Sequence, residues 1–186
     1  MFKYSKKLEY PVNIRKKDLE MAKYLITGLG GSAGELAAAT RYFVQSFSMP
    51  DERGKALLVD IATEELAHVE IVSTMFRQLV KDATPEEMKA YNLGDYYTEH
   101  GKGVYPINAS GIPFDAKYIA STGNPVVDLA EDMAAEEKAR ASYESIIDLT
   151  DNEELLNPLL FLRQREVVHY NRFKELYEDY KEKYNI

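Results

Sequence analysis

The chain has 186 residues, 45% apolar and 29% charged, enough for one domain with a sizeable buried core. Lys and Arg number 23 against 31 Asp and Glu, and the resulting net charge of −8 argues against nucleic acid or an anionic membrane surface as a partner. Cysteine is absent, which excludes disulfides, thiol nucleophiles, Cys-ligated zinc and iron–sulfur clusters. The opening Met1-Phe-Lys-Tyr-Ser-Lys-Lys7 runs into Leu-Glu-Tyr-Pro rather than an apolar stretch, so no secretory signal is visible. No run approaches the ~18 consecutive apolar residues of a membrane span. The expectation is a soluble, cytoplasmic protein with a single domain over residues 1–186.

The first helical pattern runs from about Asp18 to Phe47, with Leu19, Ala22, Ile26, Leu29, Ala33, Leu36, Ala37 and Val44 keeping the 3.6-residue period. Ser48-Met-Pro50-Asp51 ends it and starts a second, carried by Ala56, Leu57, Ile61, Leu66, Val69, Val72, Phe76 and Leu79. Thr84-Pro-Glu-Glu87 caps a short helix that Asn92-Leu-Gly94 should stop. From Asp95 to Gly123 glycines, prolines and scattered aromatics replace any period, and a connection this long reads as a packed or functional crossover. Asn124-Pro125 opens a third long helix with Val126, Leu129, Met133, Tyr143, Ile146 and Ile147. The fourth starts around Asp151 to Pro158 and ends in a charged tail with Tyr177, Tyr180 and Tyr184. Short turns within each pair and a long crossover between pairs predict an all-α, ferritin-like four-helix bundle of two antiparallel helix pairs.

Gly28-Leu-Gly30-Gly-Ser-Ala33 matches a dinucleotide-binding GxGxxA, but the fingerprint requires a following strand with an acid about 20 residues on. Ser48-Met-Pro50 and another amphipathic helix follow instead, so no βαβ unit forms. The alternative is close packing: glycine inside a helix costs about 1 kcal/mol relative to alanine, so Gly28, Gly30, Gly31 and Gly34 must be compensated by tertiary contacts.

Two segments share a pattern on different helices, Glu65-Leu-Ala-His68 and Glu166-Val-Val-His169. Positions i and i+3 face the same way, so each aims a carboxylate and an imidazole at one point. Glu35 lies 30 residues before Glu65, and Glu136 lies 30 before Glu166. The turns near Pro50 and Asp151 stand 15 residues from both members of their pair, which puts each pair at one height in an antiparallel hairpin. A shift of 101 carries Glu35 to Glu136, Ala38 to Ala139, Tyr42 to Tyr143, Glu65 to Glu166 and His68 to His169, a duplicated hairpin. That register favours Glu136 over Glu137 as the inward acid. A single Glu is more often solvated than a ligand. Here Ile61, Leu66, Val69, Val72, Leu162, Val167 and Val168 flank the group, and four buried carboxylates need countercharge. Two divalent cations supply it, so a dinuclear metal site is predicted. His100, in the crossover without an ExxH partner, is given no role.

One Glu from each of two helices plus Glu-x-x-His from each of the other two is the ligand set of ferritin-like dinuclear carboxylate proteins. More narrowly, the sequence resembles the manganese catalases. The matching segments are Gly34-Glu35-Leu-Ala-Ala-Ala-Thr-Arg-Tyr42, Ala62-Thr-Glu-Glu-Leu-Ala-His68-Val-Glu70, Asp132-Met-Ala-Ala-Glu136-Glu-Lys-Ala-Arg140 and Arg163-Gln-Arg-Glu-Val-Val-His169. The short length and the opening Tyr4-Ser-Lys-Lys-Leu-Glu-Tyr-Pro11-Val resemble the spore-coat branch of that family, the CotJC-type proteins. The resemblance implies that Glu35 and His68 bind one manganese, Glu136 and His169 the other, and that Glu65 bridges them. It makes Glu166 a proton acceptor and donor beside the pair and Tyr42 a tyrosine that supports the ligands from outside. It also implies a homohexamer, a place in the spore coat beside other coat proteins, and hydrogen peroxide as substrate. Where some members carry a basic residue before the third-helix carboxylate, or a lysine two turns beyond it, this chain has Ala135 and Tyr143, which leaves Arg140 as the nearest substitute.

The implied activity is disproportionation of peroxide to water and oxygen, with two manganese ions as a two-electron store and Glu166 as proton shuttle. Iron suits the same donors, so a di-iron oxidase or storage protein is one alternative. A structural coat protein with a low-activity metal site is the other, and the chain's 14 tyrosines would suit assembly.

Overall fold

A computed structural model describes residues 7–93 and 103–184. Six α-helices make up the described chain: α1 (Leu19–Gly30), α2 (Glu35–Gln45), α3 (Glu52–Leu79), α4 (Pro85–Ala90), α5 (Pro125–Ile147) and α6 (Glu153–Tyr184). There is no strand among the described residues, only an isolated bridge between Ile107 and Pro113, so the glycine run does not open a nucleotide fold. α1 and α2 together form the first rod of a four-rod bundle and pack on α3. α5 packs on α6, and α3 against α6 and α2 against α5 join the pairs.

The first rod is two helices, where the apolar period reads as one. The break falls at residues 31–34, and the glycines explain it. A Cβ on Gly34 would come within 2.8 Å of the Thr27 and Gly28 carbonyl oxygens, and one on Gly30 within 2.3 Å of the Pro106–Ile107 backbone. The crossover therefore lies directly on the first rod. Further along, Ala109 N–H donates to Thr27 Oγ1 at 2.8 Å, Arg41 to the Tyr118 carbonyl at 3.0 Å and Gln45 to the Ala120 carbonyl at 2.9 Å. The expected stop at Gly94, the first part of the crossover (95–102) and His100 lie outside the described residues.

Caps fix the other ends. Asp51 accepts from Gly54 N–H to start α3, Thr84 and Glu87 form a capping box for α4, and Asn124 caps α5 ahead of Pro125. Tyr180, in the tyrosine-rich end of α6, is buried and donates to Asp51 Oδ1 at 2.7 Å. This bond, with the Gly54 N–H, holds the Asp51 carboxyl down to about 2 and ties the last helix to the start of α3.

The core is two apolar clusters. One gathers Ala22, Leu25, Ile26, Ile71, Val72, Met75, Leu159 and Leu162, and the other Leu58, Ile61, Leu129, Phe173 and Leu176. On every rod the candidate ligands fall between the residues of the two clusters, so a polar layer crosses the bundle with apolar packing on both sides. Val44 and Leu66, which the apolar spacing turns inward, are exposed. At 100° per residue, Leu66 sits a quarter-turn round from Glu65, and Val44 is far round from Tyr42, because the ligands set the inward face.

Candidate metal centre

Each rod delivers its part of the layer from a buried position: Glu35 from the first turn of α2, Glu65 and His68 from α3, Glu136 from α5, and Glu166 and His169 from α6. Glu65 stands at the centre. Its Oε2 lies 2.9 Å from His68 Nδ1 and its Oε1 2.7 Å from His169 Nδ1. Glu35 approaches His68 Nδ1 to 3.6 Å, Glu136 approaches His169 Nδ1 to 3.6 Å, and Glu166 Oε1 stands 3.9 Å from His68 Nδ1. The imidazoles stack at 5.6 Å between ring centres, 24° from parallel. Two quartets result, Glu35–Glu65–His68–Glu166 and Glu65–Glu136–Glu166–His169, each with donor atoms within 4.8 Å of one another.

The tyrosines related by the 101-residue shift cross between halves. Tyr42 on α2 donates to Glu136 on α5, and Tyr143 on α5 donates to Glu35 on α2. Outside the imidazoles lie carboxylates that the sequence does not single out. Glu64 Oε2 is 3.2 Å from His169 Nε2 and is paired with Arg165, and Glu9 Oε2 is 3.6 Å from His68 Nε2. The same shift carries Glu64 to Arg165, a signal for this pair that was present in the sequence. Asp132, one turn before Glu136, is buried with neither oxygen hydrogen-bonded; burial pushes its carboxyl well above the ordinary range against the opposing charge of Arg41.

The donors fit metal ions. Glu65 Oε1, Glu136 Oε2, Glu166 Oε1 and His169 Nδ1 are buried with no hydrogen-bond partner, although Glu65 Oε1 and His169 Nδ1 are 2.7 Å apart. Groups this close but unaligned are arranged around a shared point rather than toward each other. Four carboxylates and two imidazoles, rich in oxygen and free of sulfur, suit manganese or iron. Without cations the layer holds protons. Burial and then the Glu65 charge push the Glu35 carboxyl up to about 8, and burial raises Glu166 well above its ordinary range. Burial opposes charge on the imidazoles, but the carboxylates outweigh it, Glu65 foremost, raising His68 to about 10 and His169 to about 12.

These are shifts upward, so at neutral pH the metal-free layer carries protons that an incoming cation must displace. Manganese affinity should therefore rise with pH, by at least about tenfold per unit on the acidic side of neutrality. Titrations at several pH values in buffers of different ionisation enthalpy check this through the protons released. An affinity independent of pH would show that the displaced protons are not there.

All six side chains marked by the paired ExxH pattern come together in the structure. Glu136 faces the layer, while Glu137 lies at the surface paired with Arg140. Arg140 is not brought in. Its guanidinium is held by Glu137 and Glu144, one turn to either side on its own helix.

An all-helical bundle whose four rods converge two imidazoles and four carboxylates on buried, unaligned donor atoms defines a ferritin-like dinuclear carboxylate protein. The manganese-containing catalase family matches residues 1–186, and the chain belongs to that family. It is 50% identical to protein CotJC of Bacillus subtilis (strain 168), over 98% of this chain and 96% of that one. Against a manganese catalase of Lactiplantibacillus plantarum the identity is 36%, covering all of this chain and 74% of the relative. The crystal structure of wild-type KatB, a manganese catalase from Anabaena, superposes with a TM-score of 0.86 at 32% identity, over 96% of this chain and 80% of that chain.

Proposed function

We propose that this chain, as one ferritin-like domain, is a dimanganese catalase that disproportionates hydrogen peroxide to water and oxygen. The observation that carries the reading is the pair of buried quartets sharing Glu65 and Glu166, in a chain of the manganese catalase family. Glu35 and His68 would hold one ion, Glu136 and His169 the other, with Glu65 contributing one oxygen to each. When bound, two manganese ions cycling between +2 and +3 supply the two-electron store that the reaction needs.

The chain's own residues do the rest. Tyr42 and Tyr143 donate to Glu136 and Glu35, fixing one carboxylate oxygen of each and leaving the other for an ion. Glu166, buried and with Oε1 free of hydrogen bonds, takes a proton from one peroxide oxygen and returns it to another. Its burial raises the carboxyl, so the protonated state is within reach at neutral pH. The apolar clusters on both sides of the layer restrict entry of larger reductants.

The proposal extends to a homohexamer associated with the spore coat. The likeness to CotJC supports the coat, and a surface suited to self-contact supports assembly: exposed Phe43 and Phe47, edge to face at 5.4 Å. No helix among the described residues is long and apolar enough to cross a membrane.

Metal analysis of the isolated protein together with oxygen measurement during peroxide addition tests the reading. Two manganese per chain and oxygen at half the molar amount of peroxide consumed are expected. Two iron per chain with oxygen consumption would make it a di-iron oxidase. Bound metal without turnover would make it a structural coat protein.

A further inference from the structure

The two imidazoles turn Nδ1 toward Glu65 and Nε2 away from it. A histidine that gives Nδ1 to an ion carries its proton on Nε2, and a buried N–H there needs an acceptor that also fixes the ring. Both Nε2 atoms are buried and without an aligned partner. Carboxylates face them from two different places.

Glu64 puts Oε2 3.2 Å from His169 Nε2, and its other oxygen is 3.8 Å from His68 Nε2 and paired with Arg165. The 101-residue shift that carries His68 to His169 carries Glu64 to Arg165. In a symmetric duplication His68 would meet the counterpart of Glu64, and that counterpart is a guanidinium. A cation cannot accept the Nε2 proton. The carboxylate that fills the place comes from outside the repeat: Glu9, with Oε2 3.6 Å from His68 Nε2. Its segment is anchored beside the ring. Tyr10 stacks on Phe161 at 4.8 Å, Phe161 lies edge-on to His68 at 6.3 Å, and Gln78 accepts from Ile14 N–H and donates to the Val12 carbonyl.

We infer that Glu64 and Glu9 are positioning residues for different ions, Glu64 for the one held by His169 and Glu9 for the one held by His68, so that the N-terminal segment governs a single half of the metal centre. The inference rests on the metal-centre reading above.

The test uses the full chain loaded with manganese and dialysed against graded chelator, reading manganese per chain and the electron paramagnetic resonance of isolated against coupled ions. Glu9→Ala should weaken one ion by about 10- to 100-fold while the other stays, so that a plateau near one manganese and the signal of isolated Mn(II) appear together. Glu9→Gln, whose carbonyl still accepts from Nε2–H, should restore wild-type retention, a rescue that a merely structural role for the segment does not predict. Glu64→Gln should likewise hold the ions better than Glu64→Ala, and Glu9→Ala with Glu64→Ala should release both. Thermal melts of the metal-free variants confirm folding. A Glu9→Ala chain that keeps two ions as wild type does, or loses both in one step, overturns the inference and leaves the metal centre standing. A wild-type chain that takes up no manganese overturns both.

Discussion

Glu65→Ala should yield a folded chain that no longer holds a pair of ions. Among the described residues Glu65 is the one carboxylate whose two oxygens each lie within 3 Å of a different histidine Nδ1, at 2.9 and 2.7 Å, and it belongs to both quartets. If Glu65 gives one oxygen to each ion, as proposed, its loss takes a donor from both at once. Affinity should fall by more than the about 10- to 100-fold typical of losing an outer partner, and oxygen evolution by about a thousandfold or more. Manganese raises the melting temperature of a protein that binds it only when folded. That increment should vanish in the variant, while the metal-free chain, having lost the carboxylate that both imidazoles face, should itself melt below wild type. Unchanged manganese content would remove Glu65 from the ligand set.

The second large effect belongs to Glu166→Gln. The amide keeps the shape of the carboxyl but neither takes up nor releases a proton in the working range. If Glu166 shuttles protons beside the ions, the variant should retain two manganese per chain and lose about 10²- to 10⁴-fold in turnover. Glu166 also appears in both quartets, so the geometry offers a specific competing result. Loss of metal along with activity would make it a ligand and reassign the proton transfer elsewhere.

Much of this centre was legible in the sequence because helical geometry converts spacing directly into placement. Equal distances from two turns put four acids at one height, and the i, i+3 pattern put each histidine beside its glutamate. The register distinguished Glu136 from Glu137, and the structure buries the former and leaves the latter half-buried beside Arg140. Periodicity does not report a backbone break that leaves the apolar face in phase, so the interruption at residues 31–34 stayed hidden in the first rod. Its signal was the cluster of glycines, where Gly34 approaches the Thr27 and Gly28 carbonyls within the break itself and Gly30 approaches the Pro106–Ile107 backbone across the fold. The partners of Arg140 were hidden for a related reason. Sequence distance says how near a side chain starts, not which of several carboxylates holds its end. Glu9 was out of reach, since an extended arm has no period to place it.

The crossed tyrosines bear on how much of such a centre one hairpin could build. Tyr42 serves a carboxylate of the second hairpin and Tyr143 one of the first, and Glu65 reaches a histidine on each side. A lone first hairpin would keep Glu35 and Glu65 beside His68 but leave the Tyr42 phenol without its acceptor and Glu65 without its second histidine. Two identical hairpins related by a dyad would complete each other, so the arrangement has the logic of a homodimer written into one chain. Within one polypeptide the two halves need not match, and Glu64 opposite Arg165 is where they visibly differ.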